Sequence, residues 1–179
     1  FDHEPPPPRG ATIQHRTARL LVQVFRSRGG VRRQIGVVDA PVSASRSIFA
    51  PGLFAEQVAI VTGGGTGIGL EVARELGSLG AKIAIGSRKQ ENLDAGLAAL
   101  RSEGVEAVGF ALDVREAESC EAFVRQVLES LGKVDILVNN AGGQFPSPAQ
   151  NLSPRGFEAV IRNNLNGLFF MTLATANLA

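Results

Sequence analysis

From Gln57 onward the chain alternates between short apolar runs and longer stretches whose apolar residues recur every three or four positions. The apolar runs are "QVAIVT", "KIAIGS", "EAVGFALDV" and "VDILVNN". Their near-continuous hydrophobicity suits strands buried on both faces, as in a parallel sheet covered by helices. The first intervening stretch, "GIGLEVARELGSLG", puts Ile68, Val72, Leu76 and Leu79 on one helical face and stops at Gly80. The second places Leu93, Leu97 and Leu100 on one face and stops at Gly104; the third buries Phe123, Val124, Val127, Leu128 and Leu131 and stops at Gly132. A fourth helix starts near Ser153, a good N-cap, with Pro154 at the first helical position. Four strand–helix units in series predict an α/β fold: a doubly wound parallel sheet with right-handed crossovers, broken off after the fourth unit.

Residues 1–48 do not share this pattern, so the chain divides into an arm (1–48) and a folded domain (49–179). The arm holds a proline tract, "EPPPPRG", and eight arginines against Asp2, Glu4 and Asp39. It reads as a disordered or non-native extension. The alternative is an amphipathic targeting helix around Leu20, Leu21, Val24 and Phe25, which would make the location organellar in place of cytoplasmic. Its arginines are not interleaved with aromatics, which argues against a nucleic-acid partner. No run approaches the roughly 18 apolar residues of a membrane span. One cysteine, Cys120, allows no internal disulfide, and two histidines, His3 and His15, leave a metal site without ligands. The chain opens on Phe1 and its one methionine is Met171, so the expectation is a segment of a longer product.

The turn after the first strand, "VTGGGTGIG", holds the strongest functional signal. A phosphate-binding P-loop requires GxxxxGK[ST], but Leu70 and Glu71 stand where Lys and Ser/Thr belong. The strict GxGxxG form fails as well, leaving TGxxxGxG: Thr62, Gly63, Gly67 and Gly69. In a strand–turn–helix, Gly63 would make the exit from the strand. Gly67 would let a diphosphate reach the unpaired amides of the helix start, and Gly69 would allow helix and strand to approach. The second strand ends in Ser87, Arg88 and Lys89 rather than Asp or Glu. Two cations and a hydroxyl suit a ribose 2′-phosphate, so NADP is expected over NAD.

"TGGGTGIG", "LDV" (112–114), "NNAG" (139–142) and "NNLNG" (163–167) occur in the order and spacing of the short-chain dehydrogenase/reductase family, which residues 50–175 resemble. The loop "NNAGGQFPSPAQNLSPRGF" looks closest to the branch of peroxisomal trans-2-enoyl-CoA reductases and its bacterial members. The resemblance implies a Rossmann-type fold in which Gly63, Thr66, Gly67, Ile68 and Gly69 cradle the diphosphate of NADP. It implies that Ser87, Arg88 and Lys89 hold the 2′-phosphate, that Asp113 and Val114 flank the adenine, and that Asn140, Ala141 and Gly142 line the adenosine ribose. Asn164 matches the asparagine of the family's catalytic tetrad, holding a helix distortion and a water; Gln144 and Phe145 would lie near the substrate. Read from the residues alone, Asp113 serves equally as a turn former, Asn139–Asn140 as αL residues at a strand end, Asn164 as part of a solvent-facing stripe, and Phe145 as loop packing. The implied reaction is reduction of a small molecule, an enoyl-CoA, in a homo-oligomer. The alternatives are 3-oxoacyl reduction or alcohol oxidation within the family, and a nucleotide-binding fragment with no catalysis. The family's chemistry needs Ser, Tyr and Lys, the last two as YxxxK, and these 179 residues contain no tyrosine. The expectation is therefore an amino-terminal half that binds cofactor without turnover.

Overall fold

The computed structural model describes residues 48–144 and 146–179. The arm, and Phe145 as a substrate contact, lie outside the described residues. The strands are β1 (Val58–Thr62), β2 (Lys82–Ser87), β3 (Ala107–Ala111) and β4 (Ile136–Val138). All pairings are parallel, in the order β3-β2-β1-β4. The helices are α1 (Gly67–Ser78), α2 (Gln90–Ser102), α3 (Ala117–Leu131), α4 (Pro154–Ile161) and α5 (Gly167–Leu178).

Alternation along β1 divides the core in two. Val58 and Ile60 face a cluster with Phe123, Val124 and Val127 of α3 and Met171 and Ala174 of α5. Ala59 and Val61 face the other side, with Ala73 of α1, Leu93 and Leu100 of α2, and Ile83 and Ile85 of β2. Helices on both faces make the sheet doubly wound, as the continuous apolar runs require. Phe123 is fully buried and packs edge-on against Phe110; its truncation to Ala would cost about 4 kcal/mol.

Two details depart from the sequence reading. Ile68 was expected on the buried face of α1 but is 79% exposed. It sits in the helix's first turn, beyond the end of β1, where no sheet lies beneath it; Ala73 and Leu79 are buried instead, with Val72 and Leu76 partly covered. The third apolar run is also longer than its strand: Leu112 and Val114 lie past β3 but stay buried, closing the sheet's carboxyl edge.

The loop after β4 contains a 3-10 turn (Ala149–Asn151) that the sequence reading did not foresee. Ser153 caps α4 as expected, its hydroxyl accepting from the Gly156 amide at 3.1 Å. Between α4 and α5 the helix widens into a π turn, Arg162–Asn166. Phe157, Leu165, Leu168, Phe169 and Leu173 stand about half exposed on this helical stretch. Among the described residues β4 pairs with β1 alone, and no helix is long and apolar enough to cross a membrane.

Candidate cofactor site

A cavity of about 300 Å³ opens at the carboxyl ends of the strands, where a doubly wound sheet places its ligands. One wall is the glycine turn and the end of β2: Gly63, Thr66, Gly86, Ser87, Arg88 and Asn92. The other is Leu112, Val114, Asn140, Ala141, Gly142 and Asn163.

The first wall is shaped by what glycine leaves out. Gly63 (φ 67°) and Gly67 (φ 55°) occupy the left-handed region, where a side chain would be strained. No atom lies within 4 Å of the Cβ that Gly67 lacks, so its backbone is open to a ligand. A Cβ on Gly69 would stand 2.4 Å from the Gly63 carbonyl oxygen and 2.5 Å from Asn140 Nδ2, which is the close helix–strand approach expected there. The middle glycines do other work. A Cβ on Gly64 would meet Ile85, and one on Gly65 would stand 2.4 Å from the Asn92 carbonyl oxygen. The turn is thus seated on β2 and α2.

The second wall is held by side-chain hydrogen bonds. Thr62, 1% exposed, donates its hydroxyl to the Val138 carbonyl (3.2 Å) and accepts from the amides of Asn140 (3.0 Å) and Ala141 (2.9 Å). Asn140 Nδ2 donates back to the Thr62 carbonyl at 2.8 Å. One buried hydroxyl therefore joins the ends of β1 and β4. In the π turn, Asn164 Nδ2 donates to the carbonyls of Gly143 (2.6 Å) and Val160 (2.8 Å), while its Oδ1 accepts from the Gly143 amide (3.2 Å). Asn164 thereby clasps the loop after β4 to the helix, and the widened turn presents it there.

Asp113 does not line the cavity. Its carboxylate takes Arg115 Nε at 2.8 Å and Arg115 Nη2 at 2.5 Å, and also accepts from the Arg115 amide. The Arg115 hydrogen bond holds this carboxyl well down, at about 2, and the nearby Arg88 charge acts in the same direction. Its own amide donates to Ser119 Oγ at 3.0 Å, so Asp113 anchors the turn that carries Leu112 and Val114. Arg162 Nη2 reaches Glu116 Oε1 at 2.6 Å and ties the π turn to the same region.

Residues 57–178 match the model of the short chain dehydrogenase family. The chain belongs to that family. Its members are oxidoreductases that use a nicotinamide cofactor. The chain is 44% identical over 125 residues to the peroxisomal 2,4-dienoyl-CoA reductase of Arabidopsis thaliana, covering 70% of this chain and 42% of that one. The structure is similar to the citronellol catabolism dehydrogenase of Pseudomonas aeruginosa PAO1, with a TM-score of 0.71 and 42% identity over 74% of this chain and 54% of that one. It is also similar to an actinorhodin polyketide ketoreductase solved with NADPH, with a TM-score of 0.65 and 42% identity over 66% and 46% of the two chains. The chain thus spans about half the length of the relatives it matches, or less.

In this short chain dehydrogenase the cavity brings together Gly63, Thr66, Ser87, Arg88, Val114, Asn140, Ala141 and Gly142 from the residues singled out in the sequence. Gly67, Ile68 and Gly69 lie just beyond, in the first turn of α1. Lys89 is exposed at the start of α2, and its amide donates to Ser87 Oγ at 3.3 Å. Gln144 is exposed on the loop after β4. Sequence reasoning missed four lining residues: Gly86, Asn92, Leu112 and Asn163. Asn92 lies in the first turn of α2, directly after the Ser87–Lys89 strand end already singled out, and that proximity could have found it. Asn163 was visible as one of three asparagines, with Asn164 and Asn166, crowded into a helical stretch that disfavours them, though not as a cavity-lining residue.

Proposed function

We propose that this chain forms the cofactor-holding part of an NADPH-dependent short-chain oxidoreductase that reduces an unsaturated acyl-CoA. The observation that carries the reading is that Arg88 and Ser87 line the same cavity as the glycine turn. An anion at the turn would meet unpaired amides of the α1 N-terminus and the Thr66 hydroxyl. A 2′-phosphate would meet the Arg88 guanidinium. Leu112 and Val114 offer an apolar surface for the adenine, and Asn140, Ala141 and Gly142 a polar one for the ribose. Asn164 would act as a positioning residue, since it fixes the loop at Gly143. The cofactor, when bound, supplies a hydride.

The acyl-CoA part of the proposal rests on similarity to the Arabidopsis dienoyl-CoA reductase. Similarity to the actinorhodin ketoreductase favours a second reading, reduction of a 3-oxoacyl thioester. These 179 residues contain no tyrosine to serve as the acid, so the segment alone is expected to bind cofactor without turnover. Titration of NADPH against NADH tests the cofactor: NADPH should bind at least about tenfold more tightly, and Arg88→Asp should erase the difference. Equal affinity in the unaltered chain overturns it. The full-length protein carrying this segment, assayed with 2-enoyl-, 2,4-dienoyl- and 3-oxoacyl-CoA, separates the substrates. Turnover of the 3-oxoacyl thioester alone would replace the first reading with the second.

A further inference from the structure

Asn163 is the one cavity-lining residue of the π turn, and the reading so far gives it nothing to do. Its neighbour Asn164 uses both side-chain atoms on protein groups. Asn163 is half-buried, yet among the described residues its carboxamide has no hydrogen-bond partner. Its Nδ2 lies 3.0 Å from the position of a Cβ on Gly143, so the side chain passes close over that loop. One turn further along, Gly167 packs against Val114, where a Cβ would come within 2.9 Å of Cγ2. Asn163 therefore sits where the helix bridges two parts of the second wall: Val114, and the loop of Ala141 and Gly142.

Asparagine is a poor choice for a helix interior, less favourable there than alanine. The polar atoms of Asn163 are not sealed from the cavity, so they remain free to take a ligand. A carboxamide also offers one acceptor and two donor hydrogens. That combination matches a nucleoside, whose ribose hydroxyls and base edge present both kinds of group, better than it matches a phosphate, which only accepts. The position agrees: phosphate-seeking groups are on the opposite wall, with Thr66 and Arg88.

Resting on the dinucleotide reading above, we propose that Asn163 hydrogen-bonds the adenosine half of the cofactor and is a further cofactor-binding residue of this site. Asn163 and Asn164 then divide the work: one holds ligand, the other holds the loop.

Calorimetric titration of the whole chain with adenosine 2′,5′-bisphosphate tests this without any need for turnover. Asn163→Leu, close in shape but without hydrogen bonds, should weaken binding roughly five- to tenfold, and Asn163→Ser should restore part of it. In parallel, the side-chain amide resonance of Asn163 in the unaltered chain should shift on addition of the bisphosphate, a readout independent of whether the variants fold. Reduced nicotinamide mononucleotide, which lacks adenosine, should leave that resonance in place. Unchanged affinity in a folded Asn163→Leu, or an unmoved resonance at saturating bisphosphate, overturns the assignment. A shift produced by the mononucleotide moves the contact to the other half of the cofactor and overturns it as well. Absence of any bisphosphate binding by the unaltered chain sinks the dinucleotide reading itself, and this inference with it.

Discussion

The two walls of the cavity are built on different principles. The wall from Gly63 to Asn92 is made by subtraction: glycines let the turn press against Ile85, Asn92 and Asn140, and the shape follows from backbone contact. The wall from Leu112 to Asn164 is made by addition: Thr62, Asn140, Asn164 and Arg115 each hold a loop through directed hydrogen bonds. A steric wall fails when an atom is added, and a hydrogen-bonded wall fails when one is removed. The first should therefore break abruptly under small substitutions, the second in graded steps.

Gly69→Val should show the largest effect. Its Cβ would lie 2.4 Å from a backbone oxygen that cannot yield cheaply, and a loss of about 3 kcal/mol is expected by urea unfolding. A stability within 0.5 kcal/mol of the parent would break the steric account. Thr62→Val comes next. It preserves shape but leaves the Ala141 amide without its acceptor, while the Asn140 amide keeps the Val138 carbonyl at 3.0 Å; the cost is about 2 kcal/mol. The same denaturation measurement checks it, with Thr62→Ser expected to recover most of the loss. Asn164→Ala should cost about 1 kcal/mol, because its bonds are exposed. Its sharper signature is faster amide hydrogen exchange at Gly143 with little change at Ala141.

The smallest effect belongs to Asp113. Its carboxyl is held at about 2, below the ordinary 3.8. A depressed carboxyl contributes stability that is present in full above pH 4 and is lost as pH falls toward 2. The pair is part-exposed, so less than about 1 kcal/mol is at stake. Arg115→Gln should flatten the stability profile between pH 4 and pH 2 while leaving it unchanged at pH 7 apart from the lost pair. An unaltered acid limb would show that Arg115 is not what holds Asp113.

The same contrast explains what the sequence could disclose. The four strands, their two-sided burial and the glycine turn were legible because they rest on local periodicity and on residue types with few alternatives. Ser87 and Arg88 were found by their place at a strand end. Ile68 was misread because periodicity reports a helical face but not where the sheet beneath it stops. The bond network of Thr62 joins residues 76 to 79 positions apart, and no local pattern encodes a partner at that range. Asn163 and Asn164 are identical neighbours in sequence, and only the fold shows that one lines the cavity while the other clasps the loop at Gly143.

That widened turn also has a bearing on the helix beyond it. A π turn carries one residue more than an α-helix would use for the same advance, and each residue of an α-helix turns about 100°. The faces of α5 are accordingly out of phase with those of α4. It is in this shifted phase that Met171 and Ala174 meet α3 while Phe169 and Leu173 point away. Removing one residue from 162–166 would not shorten a loop. It would rotate everything after it, withdrawing Met171 from the core.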